Sequence, residues 1–399
     1  MKYLTPPMWL IVFIVGLPQL SETVYTPSLP DIANTLAVSE QLVENTLTVY
    51  LFGFAIGTLF WGQMSDRIGR KPCVFLGTIV FCIGCIGCYF SNDIFSLLLA
   101  RFVQAIGGSI GSVVGQSICR DSFKGNELGR VYSIVGSSLA LFPAAGPVIG
   151  GLIAQYFSWR INFIFLFGAA SVMLYCAVKY LPETHDIKYC KNIDVLSTAK
   201  QLFSDQQVLL FGLIVAICNG ISFSYFADGS FLLIQNLGLS SSEYGATFIP
   251  IGLSAMLGGL LSKKLNSNSN VKPLDIMLQG IVYIILGAAF ITAVVLLNYM
   301  GVIDTKIILI SAVILAQMVI MFGFSMAISN ALALSLEKYQ WCIGVASSFF
   351  GFYYYILIAL ITLVMAKLHN GSLLPMPIYF LSLGIIMYCG FRKILILKQ

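Results

Sequence analysis

Residues 41–90 read QLVENTLTVYLFGFAIGTLFWGQMSDRIGRKPCVFLGTIVFCIGCIGCYF. An apolar run fills 41–64, a polar turn follows at Ser65-Asp66-Arg67, and a second apolar run fills 72–90. Each run matches the ~20 residues that a helix needs to cross a bilayer. Arg67, Arg70 and Lys71 cluster in the turn, as they do in loops held on the cytoplasmic side. The stretch therefore predicts two membrane-spanning helices joined by a cytoplasmic turn.

Moving outward, apolar segments fall at 8–33, 41–64, 72–90, 94–118, 130–156, 161–181, 207–235, 243–262, 274–297, 307–334, 342–366 and 376–397, twelve in all. The 399 residues are 58% hydrophobic and 10% charged, against ~25% charged in an average soluble domain. Mean hydropathy is +0.90. These values exclude a soluble enzyme and a disordered chain alike. The segment after Lys2, apolar from Met8 to Leu20, is expected to stay as the first helix. Pro18, Gln19 and Glu22 leave no small-residue cleavage site behind it.

With the N-terminus inside, 18 of the 22 basic residues fall on the inner side, 3 fall outside and Arg101 lies within a span. This asymmetry predicts an even number of spans with both termini cytoplasmic. The net charge of +5 then reflects loop composition rather than nucleic-acid binding. The widest polar stretch divides the chain into a six-helix bundle at 1–181, a cytoplasmic linker at 182–205 and a second bundle at 206–399. In the linker, Ile193, Leu196, Ala199 and Phe203 recur at helical spacing and predict a short amphipathic helix on the membrane surface. The four residues Leu36-Ala37-Val38-Ser39 recur as Leu237-Gly238-Leu239-Ser240, a faint sign of two related halves with a binding site between them.

Within the turn, Gly62 allows close helix approach, Asp66 can serve a helix start or pair with Arg70, and Gly69 supplies a tight turn. Pro72 suits a first helical turn. The ordered set Gly62 to Pro72 resembles the loop motif of the major facilitator superfamily. The resemblance continues in Arg101-Phe102-Val103-Gln104-Ala105-Ile106-Gly107-Gly108, where Ala105 replaces the expected Gly. It continues again in Gly136, Pro143, Gly146, Pro147, Gly150 and Gly151, similar to the motif of proton-driven exporters. Tyr25-Thr26-Pro27-Ser28-Leu29-Pro30, Arg120-Asp121, Ser158-Trp159-Arg160 and Leu181-Pro182-Glu183-Thr184 narrow it to the Bcr/CflA drug-resistance group. After Asp205 the clearest echo is Phe226-Ala227-Asp228-Gly229-Ser230-Phe231. The resemblance implies an all-α fold of twelve transmembrane helices in two pseudo-symmetric halves. It further implies an inner-membrane antiporter that exports small amphiphilic molecules against protons.

Charges inside a membrane are costly and mark function. Glu22 and Arg101 sit at matching depths, ~10 and ~12 Å from the outer end of their helices at 1.5 Å per residue. Asp228 has a similar depth in the second half. Glu22 and Asp228 are therefore read as the protonatable pair, with Arg101 tuning Glu22; the plain alternative is that both acids face a solvated vestibule. The resemblance implies an acid at the position of Thr23, and here it stands one residue earlier, ~100° round the helix. Segment 5, with Pro143, Gly146, Pro147, Gly150 and Gly151, is expected to be kinked and tightly packed, sealing one side of the pore.

Candidate substrate contacts are Gln19, Tyr25, Phe223, Phe226, Asn330 and the run Phe349 to Tyr355, with Phe349 and Tyr353 as its representatives. Consecutive aromatics cannot all face one way. Cys82, Cys85 and Cys88 share a helix face without His or acid partners, which favours small-residue packing over metal or redox chemistry. No nucleotide motif exists. His185 and His369 fall in loops without catalytic partners, so neither an enzyme nor a metal or cofactor site is expected. The partners expected are a small-molecule substrate, protons and lipid, for a chain working as a monomer. Drug efflux and dedicated export of a metabolite or siderophore both fit; uptake fits less well.

Overall fold

The computed structural model describes residues 5–184, 195–268, 270–303 and 305–398. Lys2, His185, Lys188, Lys191 and Ile193 lie outside the described residues. The first six spans are α1 (Met8–Thr23) continued by a short turn and α2 (Leu29–Leu36), α3 (Glu40–Ile68), α4 (Arg70–Phe90), α5 (Ile94–Ser122), α6 (Gly125–Tyr156) and α7 (Ile161–Tyr180). A short α8 (Val195–Ser204) leads into α9 (Gln206–Ser230), α10 (Ser241–Asn266), α11 (Pro273–Tyr299), α12 (Lys306–Ser335), α13 (Ile343–Leu368) and α14 (Pro375–Lys398). Among the described residues, eleven helices are long and apolar enough to cross a membrane, and α6 supplies a twelfth through its apolar part Leu141–Tyr156. The fold is the all-α, twelve-helix arrangement expected.

The helices start where a side chain can take the free backbone N–H groups. Ser39 caps α3, Asp93 caps α5, Asp205 caps α9 and Ser240 forms a capping box with Glu243 at α10. The faint internal repeat proves to be one structural device used twice. Ala37 at φ 51° and Gly238 at φ 84° each turn the chain in the left-handed region. Two residues later, Ser39 and Ser240 start the next helix.

Packing repeats between the halves. In the first half α3 and α4 pack on α5, α4 on α7, and α1 on α5 and α6. In the second half α10 and α11 pack on α12, α11 on α14, and α9 on α12 and α13. Two symmetric contacts join the halves, α3 with α13 and α6 with α10. Outer faces carry exposed apolar side chains such as Phe75, Ile83, Phe95, Leu286 and Ile385, which suits lipid contact. One end of the bundle holds the Gly69 turn and the other holds His369; the two ends are named by these residues below.

Helix α8 differs from the amphipathic expectation in the face it buries. Thr198, Ala199 and Leu202 are buried, whereas Leu196 is exposed. The helix packs on α13 through Phe203, whose ring lies 6.2 Å from both Phe349 and Tyr353.

Candidate functional site

At the Gly69 end the turn motif closes a network inside the first half. Gly69 has φ 99°, a backbone conformation that a side chain disfavours. Immediately after it, the N–H groups of Arg70 and Lys71 donate to the two oxygens of Glu183, at 2.9 and 3.1 Å. Glu183 thus holds the positive end of α4; of the two roles open to Asp66, a helix start or a pair with Arg70, the structure shows the pair. Arg70 spends its guanidinium on three residues of two helices. It donates to Asp66 at 2.6 Å, to Ser65 at 2.8 Å and to Asp121 of α5 at 2.8 Å. Arg67 is exposed, and Gly62 faces Ser348 of α13 across the two halves.

Midway along the bundle Arg101 is fully buried between two tyrosine rings. Its guanidinium carbon lies 4.0 Å from the Tyr25 centroid and 4.2 Å from that of Tyr50. Such a sandwich suits a cation that cannot shed its proton. One nitrogen donates to Gln104 at 2.5 Å, and Gln104 in turn donates to Cys85 at 3.1 Å. The Nε and Nη2 groups of Arg101 have no hydrogen-bond partner among the described residues. Glu22 is equally buried, and neither of its oxygens has a hydrogen-bond partner among the described residues. The two charges are close enough to interact electrostatically without forming an ion pair. Thr23, one position on, faces Gly146 of α6. The acid at 22 therefore points toward α5, where an acid at 23 would point at α6.

The second half adds aromatic groups to this pocket. Tyr354 and Tyr355 of α13 lie within range of the charge on Glu22, and Tyr355 reaches Gln19. The Tyr355 ring lies at a tilt 4.5 Å from that of Phe54 of α3. Phe349 and Tyr353 turn instead toward α8, and the Tyr353 hydroxyl donates to the Leu209 carbonyl at 3.3 Å. Tyr25 is committed to Arg101 and to Thr46. Asn330 is buried in hydrogen bonds with Ser262 and Asn266. Phe226 stacks 5.1 Å from Phe248, with Phe223 beside it. Of the expected substrate contacts, Gln19 is the one placed with Glu22. Tyr355, Tyr354, Tyr50 and Phe54 are added by the structure.

Asp228 lies elsewhere. No hydrogen bond or ion pair joins it to Glu22 or Arg101; its carboxylate meets His369 Nδ1 at 2.5 Å. The other ring nitrogen of His369 meets Glu40 at 2.6 Å, and Glu44 comes within 3.2 Å of Nδ1. The residue expected to lack partners thus faces three carboxylates. Burial opposes its charged form, but the hydrogen bonds to Asp228 and Glu40 and the charges of Glu44 and Asp228 win, raising His369 to about 9. The backbone carbonyl of His369 also accepts from Gln41 at 2.8 Å. Glu40, Gln41 and Glu44 belong to α3, and Asp228 to α9, so this end of the molecule is tied across the halves.

Helix α6 makes the other cross-half contact at the same end. Gly150 fits against the carbonyl of Val24, the residue that ends α1, and Gly151 against the Ser241 carbonyl of α10. Gly245 of α10 returns the approach onto Pro147. Helix α6 runs unbroken from Gly125 to Tyr156 with Pro143 and Pro147 inside it. Cys85 and Cys88 serve packing against α5 through Gln104.

The pattern of the Major Facilitator Superfamily matches residues 9–362. The chain belongs to this superfamily of membrane transporters. It is 33% identical over 398 residues to an uncharacterized transporter of Rickettsia bellii (strain RML369-C), covering 98% of this chain and 97% of that one. It is 24% identical over 344 residues to multidrug resistance protein D of Escherichia coli (strain K12), covering 86% of this chain and 84% of the relative. A crystal structure of a D-xylose–proton symporter shares the fold, with a TM-score of 0.77 at 12% identity over 96% of each chain. Membership makes the chain a multi-pass transporter of small molecules and not an enzyme. It gives the contacts between α3 and α13 and between α6 and α10 their place, as the seams between two halves.

Proposed function

We propose that this transporter exports small amphiphilic molecules across a bacterial inner membrane, each in exchange for protons, by alternating opening of the two seams. The observation that carries the reading is the Glu22–Arg101 pocket. A buried carboxylate with no hydrogen bond is costly when ionised, and a neighbouring arginine has donors to spare. A proton on Glu22 leaves Arg101 with Gln104 and the tyrosines. When the proton leaves, the guanidinium is the cation that answers the new charge. Two arrangements of one pocket thus follow from loading or unloading a proton, which is the bistable element that coupling requires.

Gln19, Phe54, Tyr354 and Tyr355 border this pocket from both halves. They offer aromatic walls and few polar groups, the lining that suits amphiphilic ligands. Multidrug resistance of a relative supports drugs as substrates. Asp228 is assigned to the seam at the His369 end and not to Glu22. The basic-residue asymmetry of the loops supports cytoplasmic termini and a Gly69 end on the cytoplasmic side. Since both halves come from one chain, a monomer suffices.

The test is transport by purified protein in liposomes with an imposed pH gradient, using ethidium as the amphiphilic cation. Ethidium should move against the proton flow, and dissipating the gradient should stop it. Gradient-independent movement would refute proton exchange. A strain lacking the chain, screened for drug sensitivity and for compounds missing from its medium, separates drug efflux from secretion of an endogenous metabolite.

A further inference from the structure

The cluster at the His369 end contains more acceptors than its protons can serve. His369 Nδ1 stands 2.5 Å from Asp228 and 3.2 Å from Glu44. A single proton on Nδ1 is given to Asp228, and the facing Oε1 of Glu44 is left buried without a hydrogen bond. Glu44 is 2% exposed and Asp228 4%. Glu40 meanwhile accepts from Nε2 at 2.6 Å. Once a metal displaces the Nδ1 proton, Glu40 on the far nitrogen holds the remaining N–H and the ring orientation, the usual support of a metal-bound histidine.

We propose that Glu44, Asp228 and His369 form a binding site for a divalent transition-metal cation of the zinc class, oriented by Glu40. The three donor atoms lie within 4.8 Å of one another. Ligand atoms 2.0–2.1 Å from a tetrahedral zinc ion are about 3.4 Å apart, so small side-chain shifts bring all three to the ion. One imidazole with two carboxylates suits zinc and its neighbours; magnesium and calcium want six or more oxygens. A fourth position stays open to water. Glu40 and the loop at Asn370 and Gly371 are exposed or half-buried, giving the ion a way in from that face.

Because Glu44 comes from the first half and Asp228 and His369 from the second, the ion ties the seam at this end. Binding should therefore stabilise the protein by mass action. The site stands apart from the Glu22 pocket and does not rest on the proposed exchange of protons.

The test is isothermal titration of ZnCl2 into the full-length, chelator-stripped protein in detergent, comparing wild type with Glu44→Gln and His369→Gln. We expect a zinc isotherm whose Kd rises at least tenfold in each variant, a zinc-induced rise in melting temperature that both variants lose, and no such signal with MgCl2. Glu44→Gln alters an oxygen that makes no hydrogen bond, so it should fold as wild type does and decides the matter if His369→Gln does not fold. Absence of zinc binding in wild type, or equal affinity in wild type and Glu44→Gln, overturns the site. Binding confined to cysteines or to His185 would survive both substitutions and so counts against it.

Discussion

Glu22 and Arg101 share one buried pocket, and neither oxygen of the carboxylate meets a guanidinium nitrogen. On the proposed exchange of protons, this separation gives the pair two arrangements. Replacing Glu22 with Gln keeps the volume and fixes the uncharged one. The expected outcome is loss of pH-gradient-driven transport, with exchange of labelled for unlabelled substrate retained. Everted vesicles carrying E22Q provide the measurement, and undiminished coupling there would sink the role given to Glu22.

Arg101 should prove indispensable as arginine. Its charge is held by the faces of Tyr25 and Tyr50 and by Gln104, a planar recognition that an ammonium does not reproduce. Stacking of a desolvated cation on a ring is worth about 2 kcal/mol. Arg101→Lys and Arg101→Ala should both lower the melting temperature in detergent. Combining either with Glu22→Gln should give a non-additive result, since interacting sites typically couple by about 0.5–3 kcal/mol. Strict additivity would show that the two residues do not communicate.

The aromatic run of α13 divides into two jobs. Tyr355 packs at a tilt on Phe54 beside Glu22, while Tyr353 meets Phe203 of α8 edge to face. Tyr355→Ala should raise the KM for transported amphiphiles several-fold. Tyr353→Ala should leave KM unchanged and loosen α8, seen as faster proteolysis near residue 195. A KM effect confined to Tyr353 would reverse the assignment.

The twelve spans were legible because hydropathy is a local property, and the Gly62–Pro72 turn because its residues are contiguous. Pairing of Asp66 with Arg70 could be read from their spacing of four. What was hidden depends on distant residues. Glu183 reaches the start of α4 from 113 positions away, and no periodicity announces that. His369 reads as a loop residue until folding brings it to Glu40, Glu44 and Asp228, on two other helices. Depth along a helix was readable for Glu22, Arg101 and Asp228, and depth alone suggested one group. The side on which each points separates Asp228 from the other two.

Arg70 should matter far more than Arg67, although both are basic residues of one turn. Arg70 is buried and binds Asp66, Ser65 and Asp121, whereas Arg67 is exposed. Asp66 is 46% and Asp121 24% exposed at the side chain, so solvent screens the network, and losing hydrogen bonds to the buried charge costs about 1–3 kcal/mol, against about 0–1 for a surface charge. Thermal unfolding of Arg70→Ala and Arg67→Ala in the same detergent tests the contrast. Equal melting temperatures would mean that the network adds nothing to the first half.

Small residues on α6 give a graded test of the seam at the His369 end. A Cβ at Gly150 would run into the backbone of Val24 within the first half, and one at Gly151 into the backbone of Ser241 across the seam. Neither obstacle is a flexible side-chain tip, so the helices must separate. Overpacking of this kind costs about 1–3 kcal/mol. Gly150→Ala should therefore lower stability in every state of the transport cycle. Gly151→Ala should penalise only the state in which this seam is closed, shifting the population toward an open His369 end. At Gly168 on α7 an added Cβ would meet no neighbouring atom within 4 Å, so Gly168→Ala should be neutral or gain up to about 1 kcal/mol from helix propensity. Melting temperatures report the first and third substitutions. Accessibility of a cysteine placed at Ser241 to a membrane-impermeant thiol reagent reports the second, compared with and without Gly151→Ala. No increase in labelling would mean that the α6–α10 contact is not what holds this end shut.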